Sequence, residues 1–139
     1  MAYFTDAEEV YRWLGGLFEA LAADPELWPS LAAADLVVQY RYRRPEAQIT
    51  MRLAPGEPLR LDLGPSDLEA DVVMTMDADV AHRFWLGKVN VPVALARGQM
   101  RARGPVAKLL RLLPVVRPAF PRYQRLLEEG GRPDLADVS

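Results

Sequence analysis

The chain has 139 residues, half of them apolar, a net charge of −2 and no cysteine. That length suits one domain with a single core, and the composition excludes a disordered chain, a disulfide scaffold and a thiolate metal site. No apolar run approaches the roughly 20 residues of a membrane-spanning helix, and the acidic opening MAYFTDAEEV lacks the pattern of a secretory leader, so a cytoplasmic protein is expected.

Residues 5–23 read as a first helix. Thr5 and Glu8 form a capping-box pattern, and Val10, Leu14, Leu17, Phe18 and Leu21 share one helical face. Asp24-Pro25 opens a further turn or short helix that Pro29 interrupts. The period then changes to two. Leu36, Val38, Tyr40 and Tyr42 alternate with polar or solvent-facing neighbours, as do Ile49, Met51 and Leu53, then Leu59, Leu61 and Leu63, then Val72, Met74 and Met76. Turn residues at 44–46, 55–58 and 64–67 separate these runs. The spacing predicts four strands in an antiparallel meander with one buried face.

Asp77 is placed to cap a helix through Leu86, which Gly87 ends. Val91-Pro92 opens a short helix that stops at Gly98. Residues 99–103 form a fifth strand with Met100 and Ala102 on its apolar side. After Gly104-Pro105, Val106, Leu109, Leu110 and Leu113 share a helical face. Pro114, Pro118 and Pro121 then divide the chain, which leaves residues 122–129 for a last helix and about 130–139 for a flexible tail. The fold class is therefore α+β in one domain, residues 1–139: a five-stranded, mostly antiparallel sheet covered on one face by helices.

Four of the five methionines (Met51, Met74, Met76 and Met100) fall in the apolar phase of their strands. Methionine is flexible and polarizable, and it adapts to irregular or variable neighbours where Leu, Ile or Val would specify one tight core. Such a face suits a cavity for a flexible apolar guest as well as it suits ordinary packing. The segment after Leu110 adds Leu112, which lies off its helix stripe, and a proline-divided run without a clean polar face. Tyr40 and Tyr42 place hydroxyls on the same apolar side, and each requires a partner or solvent.

Charge is divided unevenly along the chain. Residues 80–127 contain no Asp or Glu but ten of the 17 basic residues: Arg83, Lys88, Arg97, Arg101, Arg103, Lys108, Arg111, Arg117, Arg122 and Arg125. The stretch reads either as one anion-attracting face or as the solvated outer sides of separate helices. Catalytic signals are absent. His82 is the only histidine, Ser30, Ser66 and Ser139 lie in no nucleophile elbow, and neither glycine pair has the spacing of a phosphate loop. Asp77 and Asp79 fit a helix N-terminus. No catalytic residue, metal or cofactor is expected.

Residues 70–113 resemble the sterol-carrier-protein-2-like lipid-binding domain. The resemblance rests on the strand at 72–76, the helix at 77–86, the turn Gly87-Lys88-Val89-Asn90, Ala94 in a short helix, and the strand bracketed by Gly98 and Gly104. The preceding helix and strands match its order, so nearly the whole chain is covered. Pro105 departs from the polar or acidic residue that often follows the final glycine. The resemblance implies a hydrophobic tunnel between sheet and helices that holds fatty acyl chains, sterols, phospholipids or isoprenoids, with no universal catalytic residues.

With the lining assigned from strand parity and helix faces, the expected tunnel residues are Tyr40, Ile49, Met51, Leu61, Met74, Met76, Phe84, Trp85, Met100, Leu109, Leu113 and Phe120. The functional expectation is non-catalytic binding and transfer or presentation of an apolar lipid, with contact to an anionic membrane surface through the basic region and no nucleic-acid partner. The alternative is an accessory protein that holds a lipid or quinone-type intermediate for partner enzymes.

Overall fold

The structure is a computed structural model that describes residues 2–138. The chain opens with α1 (Ala7–Val10), a π-helical stretch (Tyr11–Gly15) and α2 (Gly16–Ala22), which run on as one continuous helix. Its cap is shifted one residue from the expected Thr5–Glu8 box. Asp6 is the N-cap and accepts from the Glu9 amide at 3.0 Å, while the Glu9 carboxylate accepts from both the Thr5 amide and hydroxyl at 2.8 and 2.6 Å. The widened π turn lies against β2 and β3, where the Tyr11 hydroxyl accepts from the Gln48 amide at 3.3 Å. Gly15 permits this close approach, because a Cβ there would lie 3.0 Å from Leu63 Cδ2.

Asp24 caps the next turn through the Glu26 and Leu27 amides, and α3 (Trp28–Ala32) follows. Pro29 falls in the first turn of α3 and does not interrupt it, since the amide it lacks would have had no intrahelical partner there. The strands are β1 (Leu36–Arg43), β2 (Ala47–Leu53), β3 (Arg60–Leu63), β4 (Val72–Asp77) and β5 (Met100–Arg103).

The sheet is five-stranded with order β3-β2-β1-β4-β5, and the four-strand meander expected from sequence is corrected here. Only β1, β2 and β3 form a meander. β4 crosses to the far side of β1 and pairs with it in parallel, Tyr40 beside Met74 and Tyr42 beside Met76. A parallel neighbour requires a long crossover, supplied by residues 64–71. Ser66 ties that crossover to Asp62 at 2.6 Å, on the sheet face away from the methionines. Beneath it Gln39 and Thr50, both buried, are bonded to each other at 3.2 Å.

Asp71 fixes the entry to β4. Its amide donates to the Val37 carbonyl and its carboxylate accepts from the Val37 amide, both at 2.8 Å. Gly104 closes the other side with φ of 107°, and a Cβ there would fall 2.1 Å from the Asp71 carbonyl oxygen. No other residue fits that approach.

The second half supplies α4 (Ala78–Trp85), α5 (Val91–Ala96), α6 (Val106–Leu110), α7 (Leu113–Val116), α8 (Ala119–Glu129) and α9 (Pro133–Ala136). Asp77 stands at the N-cap of α4, but its side chain turns to Arg44 at 3.0 Å instead of capping. Asp79 accepts from the Tyr3 amide at 2.9 Å. α8 begins ahead of Pro121, which occupies its first turn, so the last helix is longer than the proline pattern implied. The segment read as a tail carries α9 and buries Leu135 and Val138.

His82 explains why that end is packed. It is fully buried on α4; Nε2 donates to the Leu135 carbonyl at 2.7 Å, and Nδ1 lies 2.7 Å from the Tyr123 hydroxyl. A carbonyl only accepts, so Nε2 carries the proton and Nδ1 accepts from Tyr123. Tyr3 and Phe4 pack on the same ring. One neutral imidazole therefore joins the N-terminus, α4, α8 and α9.

Burial pushes the His82 pKa below its ordinary value, outweighing the Leu135 hydrogen bond and nearby Asp79, which pull it up. The unfolded chain takes up this proton near pH 6.5 and the folded chain only at lower pH, so stability is present above that value and is lost as the pH falls below it. We expect the urea midpoint to drop between about pH 6.5 and 5, and His82→Gln to flatten that drop. An unchanged slope in the variant would remove His82 from this role.

Candidate functional site

The apolar side of β1, β4 and β5 presents Tyr40, Met74, Met76, Met100 and Ala102 in adjacent registers. α4 approaches from above with Ala81, Phe84 and Trp85. Over β4 and β5 the cover passes to α5, with Val91 and Leu95, and then to α6 and α7. Proline restricts these last two helices to five and four residues, and none of the residues of α6 is buried. Such short pieces cannot lay a continuous ridge into the groove below. A cavity of about 70 Å³ is left between Tyr40, Met74, Met76 and Met100 beneath and Leu95, Val106, Leu110 and Leu113 above.

A second cavity of about 40 Å³ lies further along β1, between Val38, Met51 and Leu53 of the sheet and Phe18, Leu21 and Leu31 of the first helices. Tyr40, Trp85, Leu109, Leu112 and Val116 border both cavities. The layers thus hold two separate apolar spaces where the resemblance implies one hydrophobic tunnel. At roughly 10–15 Å³ per water-sized group, the larger space has room for about five such groups. An acyl chain fits only if the shared wall moves.

Eight of the twelve expected lining residues border the larger cavity: Tyr40, Met74, Met76, Phe84, Trp85, Met100, Leu109 and Leu113. Met51 borders the second cavity. Ile49, Leu61 and Phe120 border neither. Ile49 is fully buried beside Leu63, where Gly15 lets the first helix close down on the sheet. Leu61 lies on the short edge strand and lines an open surface groove. Phe120 stands behind Phe84, ring centroids 5.7 Å apart, and against Gly87. Residues that sequence reasoning missed include Val91 and Leu95 of α5 and Leu112 and Val116. The i, i+4 spacing of the first pair and the off-stripe position of Leu112 were the available signals.

Besides the Trp85 indole, Tyr40 supplies the polar group common to both cavities. Its ring stacks between Phe18 and Tyr42, centroids 5.6 and 5.9 Å away, and burial pushes its phenol up to about 12, so it stays neutral. Tyr42 borders neither cavity, is 3% exposed, and its hydroxyl has no hydrogen-bond partner among the described residues. No carboxylate, histidine or basic side chain borders either cavity. Both nitrogens of His82 are engaged elsewhere, and among the described residues no three His, Asp or Glu side chains are grouped to hold a metal.

The ten basic residues do not converge on one surface. Arg122 pairs with Asp24. Arg101 and Arg103 alternate with Met100 and Ala102, and so lie on the opposite face of the sheet. Lys108 and Arg111, both exposed, lie on and just after α6 over the larger cavity, and exposed Arg117 follows α7.

No protein-family model matches the chain, and no curated protein matches it. Solved structures do. Sterol carrier protein 2 from Yarrowia lipolytica, in its apo form, superposes with a TM-score of 0.65 at 15% identity over 86% of this chain and 98% of that one. Sterol carrier protein 2 from Aedes aegypti, in complex with palmitate, superposes with a TM-score of 0.53 at 21% identity over 80% and 94%. The sec-alkylsulfatase Pisa1 from Pseudomonas sp. matches with a TM-score of 0.55 at 19% identity over 63% of this chain, which spans only 14% of the enzyme. The chain therefore has the fold of the sterol carrier protein 2 domain, a fold that also occurs as a small part of a larger enzyme.

A buried hydroxyl without a partner costs about 1–3 kcal/mol. Tyr42→Phe is expected to keep the fold and to raise stability by about 1 kcal/mol in urea titrations. A loss of stability would show that the hydroxyl is bonded in solution.

Proposed function

We propose that this chain is a non-catalytic carrier that holds one acyl lipid between the sheet and the α4–α7 cover. The observation that carries the reading is the larger cavity, whose floor of methionines lies under a helix with no buried residue. Each methylene transferred from water into such a space contributes about 0.8 kcal/mol, so a long chain supplies enough free energy to displace a loosely packed cover. Palmitate bound to a protein of this fold supports the ligand class. The lining of the larger cavity, apolar apart from the Tyr40 phenol and the Trp85 indole, supports a carrier over an enzyme, because burial keeps that phenol neutral and no carboxylate, histidine or basic side chain stands beside it.

Lys108, Arg111 and Arg117 surround that cover, and the membrane-facing side of the carrier lies there. Cations near an anionic bilayer each contribute on the order of 1 kcal/mol, enough to orient the cavity toward the lipid source without holding the protein on it. Helices of the described residues are all too short to cross a bilayer, which agrees with contact at a surface.

The first test is displacement of a fluorescent fatty acid from delipidated protein. Palmitate is expected to compete, and Met74→Trp, which fills the cavity floor, to weaken probe binding by about tenfold or more while the protein stays folded by circular dichroism. Probe that remains bound at saturating palmitate, or an unaffected Met74→Trp variant, would contradict the reading.

The second test is transfer of that probe from vesicles. Lys108→Glu with Arg111→Glu should slow transfer from phosphatidylglycerol-containing vesicles by about tenfold or more and leave transfer from neutral vesicles unchanged. Arg101→Glu with Arg103→Glu carries the same charge change on the far sheet face and should have little effect. Equal losses in the two pairs would place the membrane contact elsewhere.

A further inference from the structure

The larger cavity adjoins the smaller one, and the smaller one adjoins the surface groove. The cavities share a wall at Tyr40, Trp85, Leu109, Leu112 and Val116, and the smaller one shares Trp28 and Leu59 with the groove between α3 and the β2–β3 turn. Two half-buried side chains are therefore all that separates the inner end of this path from the exterior. Beyond them the groove is walled by small side chains, Ala22, Ala23, Ala32 and Ala33. The Trp28 indole is tethered by one exposed hydrogen bond, Nε1 to the Glu57 carbonyl at 3.2 Å, and an exposed bond of this kind adds little stability.

Charge gives the path a direction. Lys108 and Arg111 stand at the α6 end, whereas no Lys or Arg lines the groove, which Glu19 borders together with Glu57, the latter paired with Arg52 at 2.8 Å. An anionic head group is attracted at the first end and meets no basic side chain in the lining of the second, so the hydrocarbon tail runs inward from α6 toward Trp28.

We infer that Trp28, with Leu59, is the end stop that sets the longest acyl chain the cavity accepts. The inference rests on the lipid-binding reading above and adds which residue measures the chain. A chain that reaches past the shared wall meets the indole face, and a longer one has to fold back or displace it. Removing the indole lets the tail continue into the alanine-walled groove.

The experiment is a chain-length profile with the full chain, delipidated, in which lauric, palmitic, arachidic, behenic and lignoceric acids compete against a fluorescent fatty acid. In the wild type, affinity should rise with length and then fall. In Trp28→Ala the turning point should move to longer acids, with behenic acid tightened by about tenfold or more and lauric acid changed by less than about twofold. A merely structural tryptophan would weaken every acid alike, and that result, or an unchanged profile, overturns the inference. Should Trp28→Ala fail to fold, Leu59→Ala opens the same partition and carries the same expectation. A wild type that binds no acid of any length would instead remove the lipid-binding reading on which the inference stands.

Discussion

Two prolines and two short helices over β4 and β5 determine how this protein is packed. Pro105 and Pro114 flank α6 and leave it five residues, and α7 beside it has four. Neither is long enough to press a row of side chains into the sheet along its length. The methionines below absorb part of the mismatch through their flexible side chains, and the remainder is the larger cavity. Every functional statement about the chain depends on that incomplete contact.

The other end of the molecule is built in the opposite way. Gly15 lets the first helix settle on β2 and β3, Gly104 lets β5 close against the entry to β4, and His82 ties α4 to α8 and α9 through two hydrogen bonds and to the N-terminus through ring contacts. At that end His82, Tyr123, Gln39 and Thr50 are buried polar side chains bonded to partners. The loose end is lined by apolar side chains apart from Tyr40 and Trp85, with its cations outside. A rigid frame with one weakly held wall is the arrangement that a carrier requires, since a ligand can enter only where opening costs little.

Much of this was legible in the sequence. Strand parity identified the buried faces, and the placement of Met74, Met76 and Met100 on the cavity floor follows from it. Parity says which side a residue faces and not which strand lies beside it, so the parallel pairing of β4 with β1 could not be read. The cover was harder, because helices of four to six residues show too little periodicity to reveal an inner face. Val91, Leu95 and Val116 were missed for that reason. Ile49 and Leu61 have the right parity, but the space above Ile49 is filled by a helix that Gly15 lets come close, and Leu61 lies at an edge open to solvent. Pro121 looked like a barrier and proved to be a first-turn residue of α8.

The central claim is that the α6–α7 wall opens while the sheet beneath it does not. Amide hydrogen exchange measured by NMR tests it directly, with and without palmitate. Amides of residues 106–116 are expected to exchange far faster than those of β1 and β4 in delipidated protein, and palmitate is expected to slow them selectively. Exchange in 106–116 as slow as in the central strands, or protection by palmitate only elsewhere in the chain, would contradict it.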